Sequence, residues 1–263
     1  VKILTQEQKT QYKTIDIDQS VIGSAIYEIP QEEVTRFFQT LQNRYDVLMR
    51  INSTLDVDSQ IDTNNFSIFK DLVEVIENNE HTSGHSKRVS FYCSLFGEYI
   101  NLSWRTTAIL STGAAVHDLG KAMLPKKILQ KPGALSKKEA TLMRKHPLMG
   151  VKLLQSKGYY PDLLPSVLYH HEKYDGTGYP FGLRGKQIPF HARVISIADA
   201  YDAMTSDRPY RRRLENDEAL YNLFMSKGTQ FDPDIVNSFI NAINNMSALI
   251  SPTELRSDYV LGY

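Results

Sequence analysis

Six of the seven histidines in this sequence fall between residues 81 and 171: His81, His85, His117, His146, His170 and His171, with His191 beyond them. The pairs His117-Asp118 and His170-His171 lie within or beside apolar helical stretches, so a folded chain must gather many ring nitrogens and carboxylates in its interior. The stretch TGAAVHDLGKAMLP, residues 112–125, places His117, Asp118 and Lys121 in what otherwise reads as an apolar helix. A buried polar group without a partner costs roughly 2–7 kcal/mol. One buried histidine is usually a satisfied core residue. Several on the inward side of helices leave many nitrogens to satisfy, and a cation does so most directly.

From about residue 66 onward helical periodicity dominates. Phe66, Phe69, Leu72, Val73 and Ile76 mark one helix face. His85, Val89, Tyr92 and Phe96 follow at spacings of four, three and four, so His85 points where the apolar residues point. Further helices are predicted over residues 105–121, 161–171 and 191–204. Another starts at Ser136, with Glu139 completing a capping box. A late helix starts at Asp232-Pro233, with Asp as N-cap and Pro at the first helical position. Residues 172–190, EKYDGTGYPFGLRGKQIPF, read as a Gly/Pro/aromatic loop. Residues 1–50 differ. VKIL, YKTIDID and SAIYEI alternate like short strands, QEEVTRFFQTLQNRYDVLM reads as a helix, and residues 52–65 are a polar linker. The expected architecture is mainly α: a helical domain over 61–263, preceded over 1–60 by a small α/β domain and its linker.

Composition narrows the function. Thirty Lys+Arg balance thirty Asp+Glu, which argues against a general binder of DNA or RNA polymers. One cysteine, Cys93, excludes an internal disulfide and disfavours a thiolate metal cluster. A reducing, cytoplasmic setting fits that usage. No apolar run of membrane-spanning length and no secretory leader pattern occurs in this window.

Imidazoles and carboxylates together suit a divalent transition metal. Five imidazoles with two carboxylates exceed the needs of one ion, so the count predicts two ions about 3.5–4 Å apart with a bridging carboxylate. Asp118 is the natural bridge, because His117 beside it can take one ion while the carboxylate reaches both. A site of this kind activates a bridging water and holds phosphate oxygens in line, which predicts phosphoester hydrolysis. Lys121 has two balanced readings: a solvated lysine at a helix end, or a phosphate contact and proton donor. Asp199 and Asp202 share a helix face in ARVISIADAYDAM. The apolar run before them directs Asp199 toward a buried site, whereas a surface reading suits Asp202 better. SDRPYRRR carries four arginines in six residues, a pattern that serves either a solvated surface or the phosphates of a substrate.

HTSGHSKRVS, AAVHDLGK, LMRKHPLMG, LYHHEKYDGTGYP and ISIADAYDAMTSDRPYRR, in that order, resemble the signatures of the HD-GYP family, a branch of the HD metal-dependent phosphohydrolases. The resemblance covers about 66–245 and leaves residues 1–60 aside. It implies a helical domain with a two- or three-ion site, iron or manganese, and hydrolysis of cyclic di-GMP to pGpG or GMP. By position it implies metal ligation by His85, His117, Asp118, His146, His170, His171 and Asp199. It assigns phosphate contacts to Lys121, Arg208 and Arg211, and to Gly178, Tyr179 and Pro180 a loop that shapes the site mouth or meets partner proteins. Asp118, Lys121 and Asp202 are the candidate catalytic groups, with Lys121, Asp202 or a metal-bound water as the acid. His81 stands where some members carry a glutamate for a third ion. Two readings remain for it, an exposed loop residue or a weak third-ion ligand, and the first is favoured. His191 matches no ligand position and reads as structural. The alternative to an enzyme is a receptor or scaffold that binds cyclic di-GMP or docks a diguanylate cyclase (GGDEF) protein through the GYP loop. Related proteins often work as homodimers.

Overall fold

The computed structural model describes residues 84–157, 161–207 and 212–246. The expected N-terminal domain and linker over 1–60, the helix face from Phe66 to Ile76, His81, Arg208 and Arg211 lie outside the described residues. Those described are helical, with isolated bridges and no strand among them. We label the helices α1 (His85–Tyr99), α2 (Trp104–Val116), α3 (Lys126–Leu129), α4 (Lys137–Met143), α5 (His146–Lys157), α6 (Leu164–Tyr169), α7 (Phe190–Thr205), α8 (Asn216–Met225) and α9 (Pro233–Asn244). A 3-10 turn, Leu119–Met123, joins α2 to α3.

Local chemistry explains the boundaries. Ser103 caps α2 by accepting from the Thr106 amide. Ser136 and Glu139 form the expected capping box on α4. Asp232 caps α9 through the Asp234 and Ile235 amides and also holds the Arg193 guanidinium, so one buried carboxylate ties the start of α9 to α7. The apolar face of α1 is as the spacing predicts: His85, Val89, Tyr92 and Phe96 are all buried.

Two cores result. The larger draws Val89 and Phe96 from α1, Leu110 from α2, Ile195 from α7, Leu223 from α8 and Phe239 from α9. The smaller one joins Val116, Leu119, Leu154, Leu163 and Val167 beneath the 3-10 turn. Fully burying each such side chain contributes about 1.5–3 kcal/mol. The polar cluster lies where the elements of these two cores meet.

One predicted helix is corrected. Residues 105–121 do not form a single helix; α2 ends at Val116 and the chain tightens into the 3-10 turn after Asp118. The cause is close packing of that turn on α5. A Cβ at Gly120 would sit 1.8 Å from the His146 carbonyl oxygen and 2.5 Å from the Gly150 amide, so only glycine allows the approach. The helix expected over 161–171 is shorter, Leu164–Tyr169, and leaves His170 and His171 just past its end.

Candidate metal centre

Three of the histidines sit at the ends of helices, and that placement determines their chemistry. His117 follows α2, His146 opens α5 just after the end of α4, and His170 follows α6. Each turns its Nδ1 back to a carbonyl three residues earlier: His117 to Ala114 at 2.7 Å, His146 to Met143 at 2.8 Å, His170 to Val167 at 2.9 Å. A carbonyl only accepts, so each Nδ1 carries the proton and donates it. Carbonyls at helix C-termini would otherwise lack partners. In the neutral ring Nε2 is then a lone pair, aimed away from the helix it caps.

The Nε2 atoms of all three converge on Asp118, whose two oxygens face different neighbours. Oδ1 lies 3.2 Å from His146 Nε2 and 3.7 Å from His170 Nε2. Oδ2 lies 3.2 Å from His117 Nε2 and 3.8 Å from His85 Nε2. Two groups of potential ligand atoms result, Asp118 with His146, His170 and His171, and Asp118 with His85 and His117; Asp118 belongs to both. Asp199 reaches the second group, with Oδ1 3.4 Å from His85 Nε2. Lys121 folds back from the 3-10 turn to pair with Asp118 Oδ2, although the continuous helix expected to bring it there is broken.

These residues fit divalent metal. His117 Nε2 and Asp118 Oδ1 are buried and have no hydrogen-bond partner among the described residues. The Nε2 atoms of His146 and His170 are 3.2 Å apart although both rings spend their protons at Nδ1, so two lone pairs face each other. A cation between them removes the repulsion. Neighbouring ligand atoms around a cation with bonds of about 2.1 Å are separated by roughly 3.0–3.4 Å, near the distances seen here. The negative ends of α2 and α6 also favour positive charge at this point.

Burial governs the titration of the outer pair. It lowers His170 to about 4, and it lowers His171 well below the ordinary histidine range with help from His170. His117 behaves differently. Burial opposes its charge, but the negative charges of Asp118 and Asp199 and the hydrogen bond to the Ala114 carbonyl outweigh that and raise it to about 9. Burial would raise Asp118, and Lys121 and His117 together hold it well below the usual carboxylate range.

Asp199 faces the cluster, and Asp202, read from the sequence as the surface carboxylate of the pair, is the more deeply buried of the two. Asp202 is the buried carboxylate, 1 % exposed, while the Asp199 side chain is 25 % exposed. Asp202 accepts from His85 Nδ1 at 2.7 Å, and Arg88 donates to both of its oxygens, Nε at 2.5 Å and Nη2 at 3.1 Å. Burial would raise Asp202, and His85 and Arg88 bring it below the ordinary value. Asp202 therefore does for His85 what helix carbonyls do for the other three rings. Arg88 was not singled out in the sequence, although it lies one helical turn after His85 on the same face.

The GYP loop reaches the histidines directly. The Tyr179 ring stacks on His171 at 4.8 Å, and the Tyr179 amide donates to the His171 carbonyl at 3.2 Å. Gly178 is required for proximity, since a Cβ there would lie 2.3 Å from the Lys173 amide and 2.5 Å from Glu172 Cα. Its φ is not among the positive ones; left-handed conformations fall on Gly176, Gly182 and Gly185 instead. Glu172, 3 % exposed, accepts from the Phe181 and Leu183 amides at 2.7 and 3.0 Å and so pins the loop beyond Pro180. Sequence reasoning missed Glu172; the available signal was a carboxylate between a histidine pair and a Gly-rich loop. His191 is partly buried against Phe190 at the start of α7, away from the ligand groups.

Comparisons with known proteins bear on the family and the fold. The sequence model of the HD domain matches residues 70–235. The chain is 38 % identical over 161 residues to the cyclic di-GMP phosphodiesterase response regulator RpfG of Xanthomonas campestris, covering 60 % of this chain and 43 % of that protein. It is 29 % identical over 240 residues to the 3'3'-cGAMP-specific phosphodiesterase 2 of Vibrio cholerae, covering 88 % of this chain and 45 % of that protein. The chain thus spans less than half the length of these two relatives. Among solved structures, an HDG"Y"P protein of Bdellovibrio bacteriovorus shares the fold with a TM-score of 0.55 at 19 % identity, over 91 % of this chain and 81 % of that one.

Proposed function

The chain belongs to the HD domain family, and from that premise we propose that it is a metal-dependent phosphodiesterase hydrolysing cyclic di-GMP, to pGpG or on to GMP. The observation that carries the reading is the division of Asp118, with Oδ1 turned to His146 and His170 and Oδ2 to His85 and His117. That division suits two divalent ions, iron or manganese, sharing one carboxylate. His146, His170 and His171 would hold one ion, and His85, His117 and Asp199 the other.

Bound ions of this type supply a nucleophilic water at neutral pH and Lewis-acid stabilisation of the phosphate oxygens. The chain's own groups orient the reaction. Lys121, beside Asp118 Oδ2, is placed to neutralise charge on a phosphate oxygen and to protonate the leaving oxygen. Asp202 suits the acid role poorly, because it is ionised and both of its oxygens are engaged by His85 and Arg88. Its work in this reading is to hold His85. Tyr179 and the loop around it cover His171. Arg208 and Arg211 contribute phosphate contacts in the same reading, and the loop face is where a GGDEF partner would dock.

The test is incubation of iron- or manganese-loaded protein with cyclic di-GMP and, separately, with 3'3'-cGAMP, followed by chromatography. Appearance of pGpG or GMP supports the reading. Cleavage of 3'3'-cGAMP alone would move the substrate, and a stable complex without product would overturn hydrolysis in favour of a receptor.

A further inference from the structure

Arg144 stands at the turn between α4 and α5, two residues before His146. It is exposed, and among the described residues it forms no ion pair. Its guanidinium carbon lies over the Tyr179 ring, 5.4 Å from the centroid. That same ring stacks on His171, so a chain of contacts runs outward from the ligand cluster through Tyr179 to Arg144. A guanidinium attracted to an aromatic ring keeps hydrogen-bond donors in excess of that contact, and those donors match phosphate oxygens in a fork.

The surroundings favour an anion. Residues 121–157 carry ten lysines and arginines against one acid, Glu139, in a chain whose net charge is zero. Lys121 at the inner end of this segment pairs with Asp118, while Lys137, Lys138, Arg144 and Lys145 are exposed. The segment that runs from Lys121 at the cluster past Arg144 is therefore strongly basic.

We propose that Arg144, propped on Tyr179, forms a subsite for a second phosphate of the substrate, the one not being cleaved. The proposal rests on the reading of the protein as a cyclic dinucleotide phosphodiesterase. A ring with two phosphates places one at the ligand cluster and leaves the other needing a cation further out. Arg144 then sets preference for dinucleotide over simple diesters.

The experiment compares wild type and R144A, both metal-loaded, on cyclic di-GMP and on bis(p-nitrophenyl) phosphate, which has a single phosphate. Removing one charge-assisted donor should raise KM for cyclic di-GMP roughly 10- to 100-fold, with kcat changed less than about threefold. The penalty should exceed that on the single-phosphate diester about tenfold, with metal content equal by elemental analysis. Equal penalties on the two substrates, or loss of metal, would assign Arg144 a structural role and overturn the subsite. If wild type does not cleave cyclic di-GMP, the phosphodiesterase reading fails by itself. Calorimetric binding of cyclic di-GMP then decides the subsite: weaker binding by R144A supports it, while equal binding or none by wild type overturns it.

Discussion

Asp118 offers one negative charge to four imidazoles and one ammonium, and its two oxygens divide these neighbours between them. Asp118→Ala removes the shared ligand from both groups, so metal content by elemental analysis should fall to background together with hydrolysis. Retention of full metal would contradict the bridge. The balance at His117 gives a second outcome. Raised from 6.5 to about 9, this ring holds a proton at neutral pH when Asp118 is its partner. A raised folded-state value stabilises the metal-free chain fully below pH 6.5, and that contribution is lost as pH rises through 9. Since a ligand must be neutral at its donor atom, loading metal at pH 7.5 should release about one proton from this ring. His170, lowered to about 4, contributes none. Indicator dye in weak buffer measures the release, and no release at that pH would refute the His117 assignment. Asp202→Asn keeps shape but weakens the hold on His85 Nδ1. Metal affinity by chelator competition should drop roughly 10- to 100-fold, as for other carboxylates behind a metal-binding histidine.

At the scale of elements, the site is made from helix ends. α2, α4 and α6 each stop where a histidine can satisfy their last carbonyls, and the 3-10 turn sets Asp118 against α5. The residue types of the cluster and the helices carrying them were legible in the sequence, because helical spacing and apolar flanks report burial. The stop after Val116 was not, because it depends on Gly120 meeting the His146 carbonyl, a contact between residues 26 apart in sequence. The burial of Asp202 was misread for a similar reason: Arg88, which pairs with it, lies on another helix. The loop shows the same dependence on long-range packing and gives its own prediction. Gly178→Ala forces a Cβ into the backbone of Glu172 and Lys173. It should displace Tyr179 from His171 and raise KM for cyclic di-GMP several-fold, while thermal stability falls by only about 1–3 kcal/mol. Crystals of the variant showing Tyr179 still stacked would refute this account of the glycine.

For the molecule as a whole, the His/Asp cluster sits between the two apolar cores and draws on elements of both. Its side chains come from α1, the α2 end, α5, the α6 end and α7, between His85 and Asp199. A cation that binds only when these segments are assembled stabilises the folded state by mass action, about 2.7 kcal/mol when free metal is a hundredfold above its dissociation constant. For a domain of this size each kcal/mol moves the melting temperature about 2–4 °C, so metal-loaded protein should melt roughly 5–10 °C above the chelated form. The apolar cores are untouched by chelation, and the chelated chain should keep its helical circular dichroism at room temperature. Asp118→Ala should melt at one temperature with or without chelator, because neither ligand group is complete. An equal metal-induced rise in that variant would mean that the stabilising ion binds elsewhere, and the convergence of helix ends on Asp118 would then need another explanation.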